Sequence, residues 1–326
     1  MSRLIEVWLM CILIFPGCKF FGYRNAIKKE VVESCDDRDA GKKVIWTFWN
    51  SGAENLRDFN KLNLETWRSQ SPDWKIVVVD EVEGSPNHYL NFIKKEDLPE
   101  GFSQMKMAQQ RSDHVRALLL RDHGGIWMDS SSILLKDLTS WAWEPIRCNR
   151  FDMVAFLNSG YSRPGTKEGI ENWFLASSKG NKIITVWQTI FRQYWNNREE
   201  SLDILSHPLF KTLQFSNAFP KEAANYLTQH VSFLRVSQME IPEIVQDRLE
   251  VVDSSEGMPG PPWGDELLNY DDPSFVVRIF RNAKIFKFAG HLSQGLKEKS
   301  IKDLKECQCT AGRIYRRSLN IETSAH

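Results

Sequence analysis

The sequence predicts an α/β fold built on an open, mostly parallel sheet, and three stretches carry that prediction. Val44-Ile45-Trp46-Thr47-Phe48-Trp49 is a β-branched and aromatic run closed by Asn50-Ser51-Gly52, the pattern of a buried strand followed by a turn. A helical stretch separates it from a second apolar strand, which makes a βαβ unit of the kind that builds parallel sheets. Farther on, a long helix runs into Gly124-Gly125 and then a short apolar strand ending on Asp129. A carboxylate at the C-terminal end of a strand lies where open α/β sheets place their chemistry.

The elements follow in order. Between residues 55 and 68, Leu56, Phe59, Leu62 and Trp67 fall at helical spacing, and Ser71-Pro72 stops the helix. Residues 74–80 are a second strand, again ending on an acid, Asp80. Residues 104–122 form the strongest helix, with Met105, Ala108, Ser112, Val115 and Leu119 predicting one buried seam. Gly124 suits the left-handed position past its end. Residues 152–156 read as a strand, 173–176 as a strand or a helix start, and 182–196 as a helix with Ile183, Val186, Trp187, Ile190 and Tyr194 inward. Beyond residue 200 short helices are expected, with an exposed loop at Pro259-Gly260-Pro261-Pro262-Trp263-Gly264 and a strand-like run over 278–289 ahead of His291.

A length of 326 residues suits one large α/β domain or two small ones. The 42 basic residues balance the 42 acidic ones, which argues against nucleic acid as a partner beyond any local basic groove. Twelve tryptophans supply either an aromatic core or rings that stack on sugars and bases. The apolar run from Leu4 to Phe15 contains Glu6 and falls short of the roughly 18–20 residues that span a bilayer. Residues 1–23 therefore read as an uncleaved signal anchor, a cleaved signal peptide or a plain N-terminal segment. Residues 24–43 follow as a polar stalk, 44–310 as the main domain and 311–326 as a C-terminal tail. An anchor makes a single-pass type II membrane protein with its folded part lumenal or extracellular; cleavage makes a secreted one. Outside the apolar segment, Cys35, Cys148, Cys307 and Cys309 allow two disulfides in three pairings. Cys307-Gln308-Cys309 has no Cys or His partner at zinc-finger spacing.

The candidate functional residues sit at the strand ends. Asp113 and Arg116, at i,i+3, form either a solvated ion pair of roughly 0.2–0.5 kcal/mol or part of a site shared with the strand their helix feeds. Asp129 either caps a turn or binds a hard divalent cation through oxygen. Ser131 projects to the same side if the extended geometry continues, as a much weaker ligand. Thr47 and Trp49 end the first strand, where the indole either packs in the core or stacks on a nucleobase. His291 is either a ligand or a structural histidine. Ser130, Ser131 and Ser132 lack a G-x-S-x-G frame, which argues against a serine hydrolase, and no P-loop or dinucleotide glycine signature is present.

Taken together, these residues resemble a known family. Residues 44–52 are similar to the opening strand of capsular polysaccharide synthesis proteins, which belong with initiating mannosyltransferases of the yeast type and glucosylating bacterial toxins. The likeness continues through Trp67, Pro72 and Asp80. It is strongest over Ser112-Asp113-His114-Val115-Arg116 and Gly124-Gly125-Ile126-Trp127-Met128-Asp129, and persists through Glu171-Asn172-Trp173-Phe174-Leu175-Ala176-Ser177 to about Trp195. The resemblance implies a GT-A-type nucleotide-sugar fold and a divalent cation, Mn2+ or Mg2+. It implies that Asp113 and Arg116 contact the donor sugar, and that Thr47 and Trp49 serve the nucleotide, with the Trp49 ring against the base. Asp129 would open a D-x-D-like metal motif in which Ser131 replaces the second acid, with His291 as a further metal ligand. The implied activity is transfer of a sugar from a UDP- or GDP-sugar to a glycan or other hydroxyl acceptor, metal-dependent and with retention. Asp113, Arg116 and Asp129 would be its catalytic residues, and Glu171 and Asn172 candidates on the acceptor side. Two other readings are a catalytically silent carbohydrate-binding or scaffolding relative and a nucleotide-sugar hydrolase.

Overall fold

The computed structural model describes residues 39–321. The predicted N-terminal apolar segment, most of the stalk, Cys35 and the last five residues lie outside the described residues. Among the described residues no helix is long and apolar enough to cross a membrane.

Strands β1 (Val44–Phe48), β2 (Lys75–Val79), β3 (Gly125–Met128), β4 (Ser132–Leu134), β5 (Met153–Leu157), β6 (Ile170–Ser177), β7 (Leu249–Asp253) and β8 (Ile285–Lys287) form two sheets. The helices that matter to the site are α1 (Asp58–Gln70), α2 (Ala108–His123), α3 (Lys182–Trp195), α4 (Thr228–Arg235), α5 (Pro273–Asn282) and α6 (Thr310–Ser318). The large sheet has the order β2-β1-β3-β6-β5-β7. β1 pairs in parallel with β2 on one side and β3 on the other. β6 runs antiparallel to both β3 and β5, while β5 and β7 are parallel. This is the open, mostly parallel α/β sheet the sequence predicts. Because β2 and β3 flank β1 on opposite sides, the strand order reverses at β1, and a crevice opens between the carboxyl ends of β1 and β3. The small sheet pairs β4 with β8, with Ser132 opposite Lys287.

Alternation along each strand divides the core into layers. Trp46, Trp127 and Leu175 point into one layer with α2 and α3, while Ile45, Ile126, Met128, Phe174 and Ala176 point into the other with Leu64 and Trp67 of α1. Apolar residues buried on both faces explain why β1 and β3 read as continuous hydrophobic runs. A third cluster joins Phe59 and Leu62 of α1 to β4, β8, α5 and α6.

Several local expectations change. α2 begins at Ala108 rather than 104, and residues 113–120 are all buried instead of forming a single seam. The helix packs against β1 and β3 on one side and α3 on another, so most of its circumference is covered. Gly124 has φ 68° and ψ −161°, which is not the left-handed helical cap expected. Its role is close approach: a Cβ on Gly124 would lie 2.6 Å from the Ala40 carbonyl oxygen, and one on Gly125 2.7 Å from that of Val44. Residues 170–177 are a strand, which settles the alternative at 173–176. The strand-like run over 278–289 begins as the last turn of helix α5, which is capped at its start by Asp272 accepting from the Phe275 N–H at 2.9 Å, and only Ile285–Lys287 is extended. Phe275, Val276 and Ile279 give α5 its buried stripe. Cys307 and Cys309 are disulfide-bonded to each other.

Candidate active site

The site forms where the chain leaves β1 and β3. A cavity of ≈ 670 Å³ lies over these strand ends, and Thr47, Trp49, Asp113, Arg116, Asp129 and Ser131 all line it. His291 lines it too, as an exposed residue on a short turn after β8. Sequence residues far apart are thus gathered at one sheet edge.

At the centre is a buried ionic network. Arg116 is 4% exposed and holds Asp113 Oδ1 at 3.0 Å and Asp129 Oδ1 at 3.3 Å. It also donates to Gln229 Oε1 at 2.9 Å, and its guanidinium lies 4.7 Å from the centre of the Trp127 ring. The Asp113–Arg116 pair is therefore not the solvated helix-surface pair; it bridges α2 to the end of β3. Gln229 at the start of α4 donates to the Asp113 carbonyl at 2.9 Å and accepts from Asn172 Nδ2 at 2.9 Å. Asn172 also donates to Asp113 Oδ1 at 3.3 Å, so it belongs to this network while lining the cavity. Burial raises the pKa of Asp113 to about 6, with Arg116 and His230 opposing the rise and Asp129 adding to it.

Asp129 continues the β3 ladder through its N–H to the Trp173 carbonyl at 2.9 Å, and the indole N–H of Trp127 donates to its Oδ1 at 3.0 Å. Its Oδ2 meets Lys287 Nζ at 3.1 Å, and the same ammonium donates to Ser131 Oγ. Burial works against its charge, but Lys287 and Arg116, with the Trp127 bond, outweigh it and hold the pKa below the usual carboxylate range. The turn after Asp129 is held from α1. Asn60 Nδ2 donates to Ser130 Oγ at 3.0 Å, Asn63 Nδ2 to the Ser130 carbonyl at 2.8 Å, and Trp67 Nε1 to the Ser132 carbonyl at 2.8 Å. These three donors, on one stripe of α1, lock the direction of the Asp129–Ser131 segment.

Thr47 is buried, with its hydroxyl unpartnered at the cavity. Trp49 is half-buried, its indole N–H bonded to the Asn55 carbonyl at 3.1 Å while its ring lines the opening. Many of the other tryptophans serve as core fasteners: Trp46 donates to the Gly124 carbonyl at 2.9 Å, tying β1 to the double glycine. Glu171 accepts from Asn158 at 2.9 Å and lies 3.9 Å from His230, whose two ring nitrogens have no hydrogen-bond partner. Burial opposes the Glu171 charge, yet His230 and Asn158 hold its pKa down.

The donor set does not fit a resident divalent cation. The expected ligands are one carboxylate, one hydroxyl and an exposed histidine, and among the described residues no three His, Cys, Asp or Glu side chains gather to hold a metal. Both Asp129 oxygens already face protein cations, where a hard divalent ion requires several oxygen ligands.

Sequence reasoning missed Gln229, His230, the α1 asparagines and, above all, Lys287. Lys287 left one signal: a charge between Phe286 and Phe288 in an apolar strand, which by alternation faces away from the core.

Residues 22–245, more than half of the chain, match the family described as capsular polysaccharide synthesis protein, and the chain belongs to that family. It is 32% identical over 183 residues to the glycosyltransferase afumC of Aspergillus fumigatus, covering 54% of this chain and 46% of that protein. It is 28% identical over 241 residues to the O-glycosyltransferase braB of Annulohypoxylon truncatum, covering 67% of this chain and 54% of that protein. The chain thus spans about half the length of the curated relatives it matches. Among solved structures it is similar to the PaToxG glycosyltransferase, with 21% identity, a TM-score of 0.38 and coverage of 62% of this chain and 70% of that one.

Proposed function

We propose that this member of the capsular polysaccharide synthesis protein family is a glycosyltransferase that moves a sugar from a nucleotide-sugar donor to a hydroxyl acceptor. The observation that carries the reading is the convergence of Asp113, Arg116 and Asp129 at the sheet's reversal point, beside a cavity large enough for a small ligand. The relatives named as glycosyltransferases support it.

In this reading the nucleoside enters along the end of β1, with its base on the Trp49 ring and a polar atom met by the unpartnered Thr47 hydroxyl. The sugar lies over Asp113 and Arg116. Asp113 is mostly ionised at neutral pH and accepts from sugar hydroxyls, while Arg116 holds it in place. Transfer breaks the bond between the anomeric carbon and the diphosphate oxygen, and the electron pair stays on that oxygen. The acceptor oxygen bonds to the anomeric carbon, and its proton leaves with the nucleoside diphosphate. Fixing donor and acceptor together supplies the positioning part of the rate, and preformed charge at the departing oxygen supplies the electrostatic part. Glu171 and His230 line the cavity as the candidates that meet the acceptor hydroxyl. The family resemblance carries the expectation that anomeric configuration is retained.

The test is a thermal-shift screen of UDP- and GDP-sugars, because a bound ligand raises apparent stability by mass action. Product analysis follows, with and without acceptor sugars. Transfer to acceptor with an unchanged anomeric configuration supports the proposal. Sugar released only to water makes the protein a hydrolase, and no donor bound or consumed makes it a silent relative. Asp129→Ala, verified as folded, is expected to lose transfer.

A further inference from the structure

We propose that Lys287, with Arg57 and Lys297 beside it, neutralises the departing nucleoside diphosphate in place of a divalent cation, so that this chain transfers sugar without metal. The inference rests on the transferase reading and concerns the source of positive charge within it. Breaking the sugar–oxygen bond builds negative charge on a diphosphate, and some cation must face it. The Lys287 ammonium stands between Asp129 Oδ2, at 3.1 Å, and Ser131 Oγ. A lone carboxylate with a hydroxyl is a poor divalent site but can seat an ammonium, which needs no further oxygen ligands to be held in place. Two of its three N–H donors are taken there, which leaves one for a phosphate oxygen.

The position of Lys287 is built rather than incidental. β8 pairs with β4 so that Lys287 lies opposite Ser132, and the Phe288 N–H bonds to the Ser131 carbonyl at 3.0 Å. Phe286 and Phe288 are fully buried in the opposite direction, which turns Lys287 toward the cavity. Arg57, just before α1, and Lys297 line the same cavity. Burial, then the charges of Arg57 and Lys287, push the Lys297 pKa down, with Asp265 opposing them. All three cations thus line one cavity, and Lys297 feels the charge of both others. Asp265 is largely committed elsewhere, accepting from the Gly295 N–H at 2.7 Å and the Leu296 N–H at 2.8 Å. Like charges gathered at a cavity wall repel one another until an anion arrives, and a diphosphate is such an anion. Arg116 is kept for the sugar by its bonds to Asp113 and Gln229.

The experiment measures UDP and GDP binding by titration calorimetry, and donor turnover, in EDTA and in manganese, for the wild type, Lys287→Met and Lys287→Arg. The wild type is expected to bind the diphosphate and turn over donor in EDTA within about twofold of the manganese values. Lys287→Met should weaken binding or turnover in EDTA by roughly 10- to 150-fold, the range for losing one charge-assisted hydrogen bond. Lys287→Arg should recover part of the loss, and thermal melts check that both variants fold. Binding and turnover that vanish in EDTA and return with manganese overturn the inference while leaving the transferase intact. So does a folded Lys287→Met variant with undiminished turnover in EDTA. EDTA-insensitive diphosphate binding that Lys287→Met weakens, with no turnover of any donor, supports Lys287 as the diphosphate anchor and defeats the transferase reading instead.

Discussion

Replacing Asp113 with Asn isolates the cost of keeping an ionisable carboxyl at the heart of the network. Burial places its folded pKa at about 6, against an ordinary 3.8. Below pH 3.8 the group is protonated in both folded and unfolded chains, and the native state keeps its full advantage. Between 3.8 and about 6 the unfolded chain loses its proton first, so this group's contribution to stability falls as pH rises and is gone above about 6. A change of that size corresponds to about 3 kcal/mol. Asn cannot titrate, so the stability of Asp113→Asn relative to wild type should improve by about 2–3 kcal/mol between pH 4 and pH 7.5. Urea unfolding at a series of pH values reads this directly, because groups that titrate alike in both proteins cancel. The same variant should lose donor turnover, since an amide cannot accept from sugar hydroxyls as a carboxylate does. A stability difference that does not move with pH would refute the reasoning. It would mean that Arg116, at 3.0 Å, fully offsets burial and that the carboxylate costs the fold nothing.

The other predictions concern the network and its supports. Arg116→Ala leaves two carboxylates without their shared partner and should cost about 3–5 kcal/mol in chemical unfolding, with Arg116→Lys recovering little of it; a loss of only tenths would mark an exposed pair. His114 is fully buried against Phe191 with both ring nitrogens unpartnered, and burial followed by Arg192 pushes its pKa down to about 3. As pH falls below 6.5 the unfolded chain takes up a proton that the native chain refuses. His114→Phe should therefore gain about 2–3 kcal/mol over wild type between pH 8 and pH 4.5, and equal acid sensitivity in melts would contradict this. Gly125→Ala combines φ 96° with a Cβ 2.7 Å from the Val44 carbonyl oxygen and should cost about 2–4 kcal/mol; a thermal midpoint like that of wild type would show that the backbone yields there.

Local chemistry was legible along the chain wherever one segment decides its own structure. Apolar runs of β-branched residues marked β1, β2 and β3, because a strand covered on both faces needs no alternation. The double glycine and the acid that follows it marked the β3 edge, because only glycine admits the neighbouring backbone there. Asp113, Arg116, Asp129 and Ser131 were readable as a group, since a single stretch of helix and strand, residues 113–131, carries all four. The helix α5 was not, because its bulky apolar residues suit either conformation until Asp272 caps it.

What the tertiary structure alone decided is charge. Whether Asp129 faces a metal ion or a protein cation depends on a residue 158 positions later, brought across by the pairing of β8 with β4. Gln229, from α4, likewise joins a carbonyl and a guanidinium on α2 with no sequence sign that it does so. Sequence spacing sets which side chains share a strand or a helix face, and so it located the carboxylates. The electrostatic environment of a carboxylate is set by every group within a few ångströms in space, and chain order carries no record of those distances.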